Sequence, residues 1–429
     1  MATLLRQHWQ PDLSVAGLSR RDRQGCDYDA YLPDPLEGRA FALDGDVAAD
    51  VADAEAAITR LNLEATALVD SEALARLLLR AEAVASSRIE GLEVGSRRLL
   101  RAELTHALGG AHADVTAEEV LGNINAMRWA IDSLAAARTV TVDGLLEVHR
   151  RLLEGTPRES HGGRVRIEQN WIGGSRFNPC GAAFVPPPPG AVPALLDDLC
   201  RFCSGDSLPA IVQAAVAHAQ FETIHPFADG NGRTGRALIQ VVLRRRRLAP
   251  RILPPISLVL ATWSDDYVRG LGDTRYLGDA SSGAAHQGLN RWIAFFAAAS
   301  RRAVDDVNSY EERIRDLQES WRERAGRVRR GSAADLLLAT LPGTPIVTVA
   351  SAAAAIARTV QATNVAVARL AEAGVLQPVS LGRRNRAFEA AGLLDAFTDL
   401  ERQLASPDGD TRTSRPVRVV PRRGGSRGR

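Results

Sequence analysis

The chain has 429 residues, enough for two or three domains with ample core. Its 53 basic and 51 acidic residues nearly cancel, so bulk charge argues neither for a nucleic-acid binder nor for a membrane-surface protein. Every basic residue is Arg, which excludes lysine-based catalysis and lysine-based phosphate binding. There is no signal pattern and no apolar run of bilayer length, which predicts a cytoplasmic protein with no membrane partner. Reduced thiols at Cys26, Cys180, Cys200 and Cys203 fit that compartment. Cys200 and Cys203 form a C-x-x-C, but in a helix-like segment with no second Cys/His pair at zinc spacing, and are read as buried or half-buried thiols rather than a metal or redox site.

In chain order, residues 1 to about 45 read as irregular chain that packs through Trp9, Tyr28 and Tyr31-Leu32-Pro33-Asp34-Pro35. Helical pattern runs from Val47 through Leu61. A second helix spans Ser71 to Glu90, with Leu74, Leu77, Leu78, Ala81, Val84 and Ala85 on one face and Gly91 as its stop. Glu90 opposes the dipole at that C-terminus, and Ser86 lies four residues before it on the same face. A carboxylate in a locally unfavourable place points to a distant partner, and a buried arginine would serve. Asp114-Val115-Thr116 and Thr141-Val142-Asp143 start further helices. Residues 164 to 185 read as a β-hairpin: Val165 to Ile172, the turn signals Gly173-Gly174 and Asn178-Pro179, then Ala183-Phe184-Val185.

Leu208 to Thr223 and Ala237 to Leu248 read as buried helices flanking His225-Pro226-Phe227-Ala228-Asp229-Gly230-Asn231-Gly232-Arg233-Thr234-Gly235-Arg236. The glycines let the chain wrap an anion, and the N–H groups and dipole of the second helix point at the same place. Arg233 and Arg236, on its first turn, can each grip phosphate oxygens. Asp229 would repel bare phosphate unless a divalent cation stands between. His225 is placed to take a proton from a hydroxyl.

Arg244 to Arg247 read as a solvated helix end, Leu289 to Ala299 as a core helix, and Val304 to Arg330 as a charged connector. Residues 331 to 400 then run helix, strand, helix, helix, strand, strand, an order that resembles a winged helix-turn-helix. Charge there is balanced, five arginines against five acids, so target docking or self-association is favoured over specific DNA binding. The polar, Arg-rich remainder from 401 is predicted to be disordered.

The string from His225 to Arg236 resembles the signature of the Fic (filamentation induced by cAMP) family without departure. That resemblance implies a mainly α fold: a Fic helical core with a small β-hairpin flap, followed here by the winged helix. It implies transfer of AMP from ATP to a Ser, Thr or Tyr hydroxyl of a protein, the chain itself being one eligible target. His225 would be the base and Asp229 the Mg²⁺ ligand, with Gly230, Asn231, Gly232, Arg233 and Arg236 on the nucleotide. The string Gln169-Asn170-Trp171-Ile172-Gly173-Gly174 with Phe184-Val185-Pro186 is similar to the family's flap. This implies that Trp171, Ile172, Gly173, Gly174, Phe184 and Val185 dock the target backbone as an added strand. Ser86 to Gly91 resembles the inhibitory motif that class II members carry N-terminal to the core. It implies that Glu90 pairs with Arg236 in the γ-phosphate position, and allows the same carboxylate a part in removing AMP. Tyr267 lies where the family tends to place an aromatic near adenine.

The domains expected are a cap at 1–110, a catalytic core at 111–300, a connector at 301–330, the winged helix at 331–400 and a tail at 401–429. Homodimer formation, a different transferred group, and a nucleotide-sensing DNA-bound regulator remain open alternatives.

Overall fold

The structure, a computed structural model, describes all residues except 15, 65–70, 96–97, 100–101, 104, 106–113, 381–385, 397 and 399–429. Arg383 and Arg384 of the expected wing and the Arg-rich tail therefore lie outside the described residues. The chain forms two compact units, one made of 1–55, 125–248 and 265–298, the other of 56–124, 249–264 and 299–429.

In the first unit the expectation of irregular chain at the N-terminus is corrected. Strands β1 (Thr3–Trp9) and β2 (Cys26–Leu32) pair antiparallel, Thr3 opposite Leu32 and Trp9 opposite Cys26. Aromatic packing holds as expected: Trp9 meets Trp171 edge-on at 5.3 Å between ring centroids, and Tyr31 is buried. Cys26 and Cys180 form a disulfide, their Cα atoms 6.0 Å apart. The expectation of free thiols holds only for Cys200 and Cys203, both buried, where burial pushes the Cys200 thiol up to about 12.

The helices of the chain begin with α1 (Gly45–Glu64), α2 (Ser71–Ile89) and α3 (Val115–Trp129), the last continuing into one π-helical turn, Ala130–Leu134. Then come α4 (Val142–Leu153), capped by the Thr141 side chain accepting from the Gly144 N–H, α5 (Val192–Ser204), α6 (Ala210–Ile224) and α7 (Asn231–Arg245). Helix α6 is buried at every residue, so its sequence is mostly small and apolar, and its polar side chains, such as His218 and Gln220, are bonded inside. It packs directly on α7. A Cβ on Gly235 would stand 2.7 Å from Glu222 Oε1 and 2.9 Å from the Phe221 ring, so only glycine permits this approach. Trp292 closes the other side of α6, its indole N–H donating to the Ala215 carbonyl at 2.8 Å.

Two other expectations change. Arg244 to Arg247 is not a fully solvated face: Arg246 donates to the carbonyls of Leu208 and Asp206 and to Gln213 Oε1, and Arg245 to the carbonyls of Ser204 and Gly205. These bonds tie the end of α7 to the loop after α5. The expected hairpin at 164–185 keeps only one bridge, Ile172 to Phe184.

In the second unit, α2 buries Leu77, Leu78, Ala81, Val84 and Ala85 as its spacing predicts. It packs beside α8 (Ile256–Thr262), where Glu82 accepts from the Ser257 hydroxyl at 2.6 Å and N–H at 2.7 Å. Helix α9 (Ser264–Asp273) belongs, but for its first residue, to the first unit. The expected core helix and connector are one element, α10 (Gly283–Ala325), 43 residues long.

The winged-helix order is present: α11 (Ala333–Thr340), β3 (Ile346–Val347), α12 (Val349–Ala355), α13 (Val360–Glu372), β4 (Leu376–Ser380) and β5 (Arg386–Ala390). The strands form one antiparallel sheet in the order β3-β5-β4. No helix among the described residues is long and apolar enough to cross a membrane.

Candidate active site

Helix α6 ends at Ile224, and His225 takes the left-handed conformation (φ 48°) as its cap, with its N–H on the Phe221 carbonyl at 2.9 Å. A non-glycine residue there costs of order 1 kcal/mol or more, which the surroundings must offset. They do so through the main chain. The Arg166 guanidinium donates to the carbonyls of His225 at 2.9 Å, Glu168 at 3.0 Å and Pro187 at 2.5 Å, while its backbone N–H reaches the Pro226 carbonyl at 2.9 Å. The Asn170 amide donates to the Phe227 carbonyl at 3.0 Å and the His225 carbonyl at 3.3 Å. Burial lowers the Arg166 guanidinium to about 10.

The loop closes on itself at the start of α7. The Asn231 side chain accepts from the Phe227 N–H and donates to the Phe227 carbonyl, both at 2.8 Å. Its side chain is therefore a brace, and the part of Asn231 open to an anion is its backbone N–H. Gly230 caps α7 in the left-handed conformation at φ 75°, with Leu152 and His149 against the place a Cβ would occupy. Arg233 and Arg236 are 4% and 1% exposed, two guanidiniums fixed inside the first two turns of α7. Asp229 is part-exposed, with Arg158 at 2.8 Å and Arg233 at 3.6 Å from its carboxylate. Glu222 Oε2 lies 3.9 Å from His225 Nδ1.

His149 on α4 supports the other side. Its ring stacks on Phe227 at 3.7 Å, its Nδ1 accepts from the Gly163 N–H at 3.1 Å, and its Nε2 is 2.9 Å from the Asp229 carbonyl. With Nδ1 accepting, the proton of the neutral ring sits on Nε2 and is donated to Asp229. Burial pushes His149 down to about 4 and His218, beside Arg236 and Tyr267, down to about 3.

Both native pKa values lie below the free value of about 6.5, so between them the unfolded chain binds more protons. Stability is full above about pH 6.5 and is lost as pH falls toward 4 and 3, by up to roughly 3 kcal/mol for His149 alone. The expected result is a melting temperature that declines steadily from pH 7 to 4.5, with a shallower decline in His149→Gln. Equal slopes in both would show that His149 does not carry this dependence.

Of the residues expected to dock a target, Ile172 and Phe184 exchange backbone bonds at 2.8 and 3.2 Å, and Gly173 and Gly174 form a left-handed turn beside Ala183. The Trp171 indole N–H donates to the Ser175 carbonyl at 2.6 Å, and Val185 is covered by Tyr31, whose N–H bonds its carbonyl at 2.9 Å. Tyr267 is not an open adenine platform: it is 4% exposed, with its hydroxyl 2.9 Å from His218 Nε2. In the second unit Ser86 is fully buried and Glu90, just past the end of α2, is exposed, with Gly91 at φ 79° closing the helix.

Two family profiles match the chain: the Fic/DOC family over residues 139–243, and the Fic/DOC family N-terminal segment over residues 48–132. Over those two segments the chain is similar to the Fic/DOC family. The chain is 29% identical over 196 residues to "Protein adenylyltransferase fic-1" of Caenorhabditis elegans, covering 44% of this chain and 36% of that one. It is 35% identical over 139 residues to "Protein adenylyltransferase Fic" of Drosophila melanogaster, covering 32% and 26%. The matches thus span about a third or less of those relatives' own length. A Fic family protein from Desulfovibrio desulfuricans has the same fold at 21% identity, with a TM-score of 0.50 over 82% of this chain and 98% of that one. Within this Fic fold, sequence reasoning missed Arg166, Asn170, His149 and Arg158 as members of the site. Asn170 is part of the string that resembles the flap and Arg166 stands three residues before it, which was the one available signal.

Proposed function

We infer that this chain transfers AMP from ATP to a Ser, Thr or Tyr hydroxyl of a protein. The observation that supports this best is a braced loop in which His225 is followed within a few residues by the glycine-capped N-terminus of α7 and two buried guanidiniums. The backbone N–H groups of that first turn, with Arg233 and Arg236, form a preorganised cradle for a polyphosphate. The acceptor hydroxyl gives its proton to the imidazole of His225 as its oxygen bonds the α-phosphorus. The bond to the β-phosphate oxygen breaks in line, and pyrophosphate leaves.

Asp229 offers one hard carboxylate at the edge of this cradle. Mg²⁺ commonly takes one or two carboxylates with phosphate oxygens and water, so the residues present fit it, and it would neutralise phosphate charge there. Arg158 and Arg233, which now share that carboxylate, would then turn to the phosphates. The segment from Trp171 to Val185 presents backbone to a target strand. The likeness of Ser86 to Gly91 to the family's inhibitory motif supports a restraint by Glu90 on transfer in the resting chain.

The test is label transfer. With α-labelled ATP and Mg²⁺ the protein becomes labelled, while γ-labelled ATP leaves no label on it, and EDTA abolishes the reaction. Label from the γ-position would replace this reading with phosphoryl transfer. No label from either, even in Glu90→Gly with ATP bound, would overturn it.

A further inference from the structure

We propose that the winged helix reads B-form DNA, with the outer face of α13 in the major groove at A·T-containing steps. Helix α13 is the second helix of the helix-turn-helix, the position that enters the groove in such folds. One stripe of it, Thr363, Ala366, Val367 and Leu370, is buried in its own domain. The opposite stripe is Val360, Gln361, Asn364, Val365 and Ala368, all exposed. Val360 and Val365 are 60% and 67% exposed, which leaves a solvent-facing apolar surface without an occupant among the described residues.

The chemistry of that stripe selects the partner. A side-chain amide meets adenine N6 and N7 in a bidentate fashion, and small apolar side chains meet the thymine methyl group. Gln361 and Asn364 supply the amides, and Val360, Val365 and Ala368 the apolar contacts. The stripe holds no carboxylate that a phosphate would oppose; the acid of α13 is Glu372 in its last turn.

Cations flank the end that would enter the groove. Arg358 directly precedes the cap residue Thr359 and donates to the Gly331 carbonyl at 3.3 Å, which brings the turn at 329–331 beside the N-terminus of α13. Arg329 and Arg330 are exposed in that turn, and Arg386 is exposed at the start of β5. The balanced charge read from residues 331–400 left Arg329 and Arg330 out. Of the acids counted there, Asp335 is occupied by the Gly331 N–H at 2.8 Å and Glu389 is 8% exposed. Phosphate contacts from the arginines would set position, and the amides would set sequence.

The experiment selects duplexes from a random pool with the full-length chain, then measures affinity by fluorescence anisotropy at several salt concentrations. The selected duplexes are expected to share A·T steps and to bind more tightly than scrambled ones. Asn364→Ala and Gln361→Ala are each expected to weaken the selected duplex roughly tenfold to a hundredfold. Arg329→Ala and Arg358→Ala are expected to weaken all sequences alike and lower the salt slope by about one. AMP transfer should be unchanged in Asn364→Ala, and its melting temperature should match wild type. No enrichment, equal affinity for every sequence, or wild-type binding in both amide variants would overturn the proposal. So would a dimer that Val365→Glu dissolves in the absence of any selective DNA binding.

Discussion

Replacing His225 with Ala is expected to lower AMP transfer by roughly a hundredfold to ten-thousandfold, the usual worth of a positioned general base, while ATP affinity stays near wild type. The separation of the two effects follows from how the loop is held. Arg166 and Asn170 grip the carbonyls of residues 225 and 227, and Asn231 grips the main chain of Phe227, so none of these bonds needs the imidazole. Alanine accepts the left-handed backbone at about the cost that histidine already bears. The anion cradle at α7 should therefore persist without the base. Single-turnover labelling measures the first effect and calorimetry the second. Normal turnover in the variant would remove His225 from its role, and lost ATP binding would make the residue structural.

Replacing Glu90 with Gly is expected to raise self-labelling by roughly tenfold to a hundredfold, the order expected when one charged hydrogen bond no longer competes for a site. The change should cost the fold little. Glu90 lies beyond the last residue of α2, is exposed, and is followed by a glycine already in the left-handed turn. Arg236, by contrast, is 1% exposed, a preorganised guanidinium for the γ-phosphate once the restraint is gone. Equal labelling of wild type and variant would keep the transferase and discard the restraint.

The parts legible in the sequence were those whose cause is local. The string at 225–236 carries its own glycines, base and arginines, and the α11 to β5 region punctuates itself with caps at Ser332, Thr348 and Thr359. What escaped depends on distant partners. Strand β1 shows little inward-outward alternation because most of it faces solvent, β2 alternates only over Cys26 to Asp29, and no tight-turn sequence joins them. Helix α10 was divided because its sequence changes from apolar to charged near residue 300, although no glycine or proline interrupts it there. Arg166 and His149 act on carbonyl oxygens, which every residue possesses, so their partners leave no mark in the sequence. The run at 244–247 looked solvated for the same reason, its partners being carbonyls of the loop at 204–208.

The disulfide joins residues 154 positions apart, and this makes the chain between Cys26 and Cys180 a covalent ring. That ring contains α1 to α4, and with them Ser86, Glu90 and His149. A peptide bond cut anywhere inside it opens the ring without releasing a fragment. The segment bearing Glu90 would stay tethered to the catalytic loop's own polypeptide until the sulfur bridge is reduced. A single cut between Glu90 and Cys180 would free that segment from the loop at 225–236 only once the bridge is reduced.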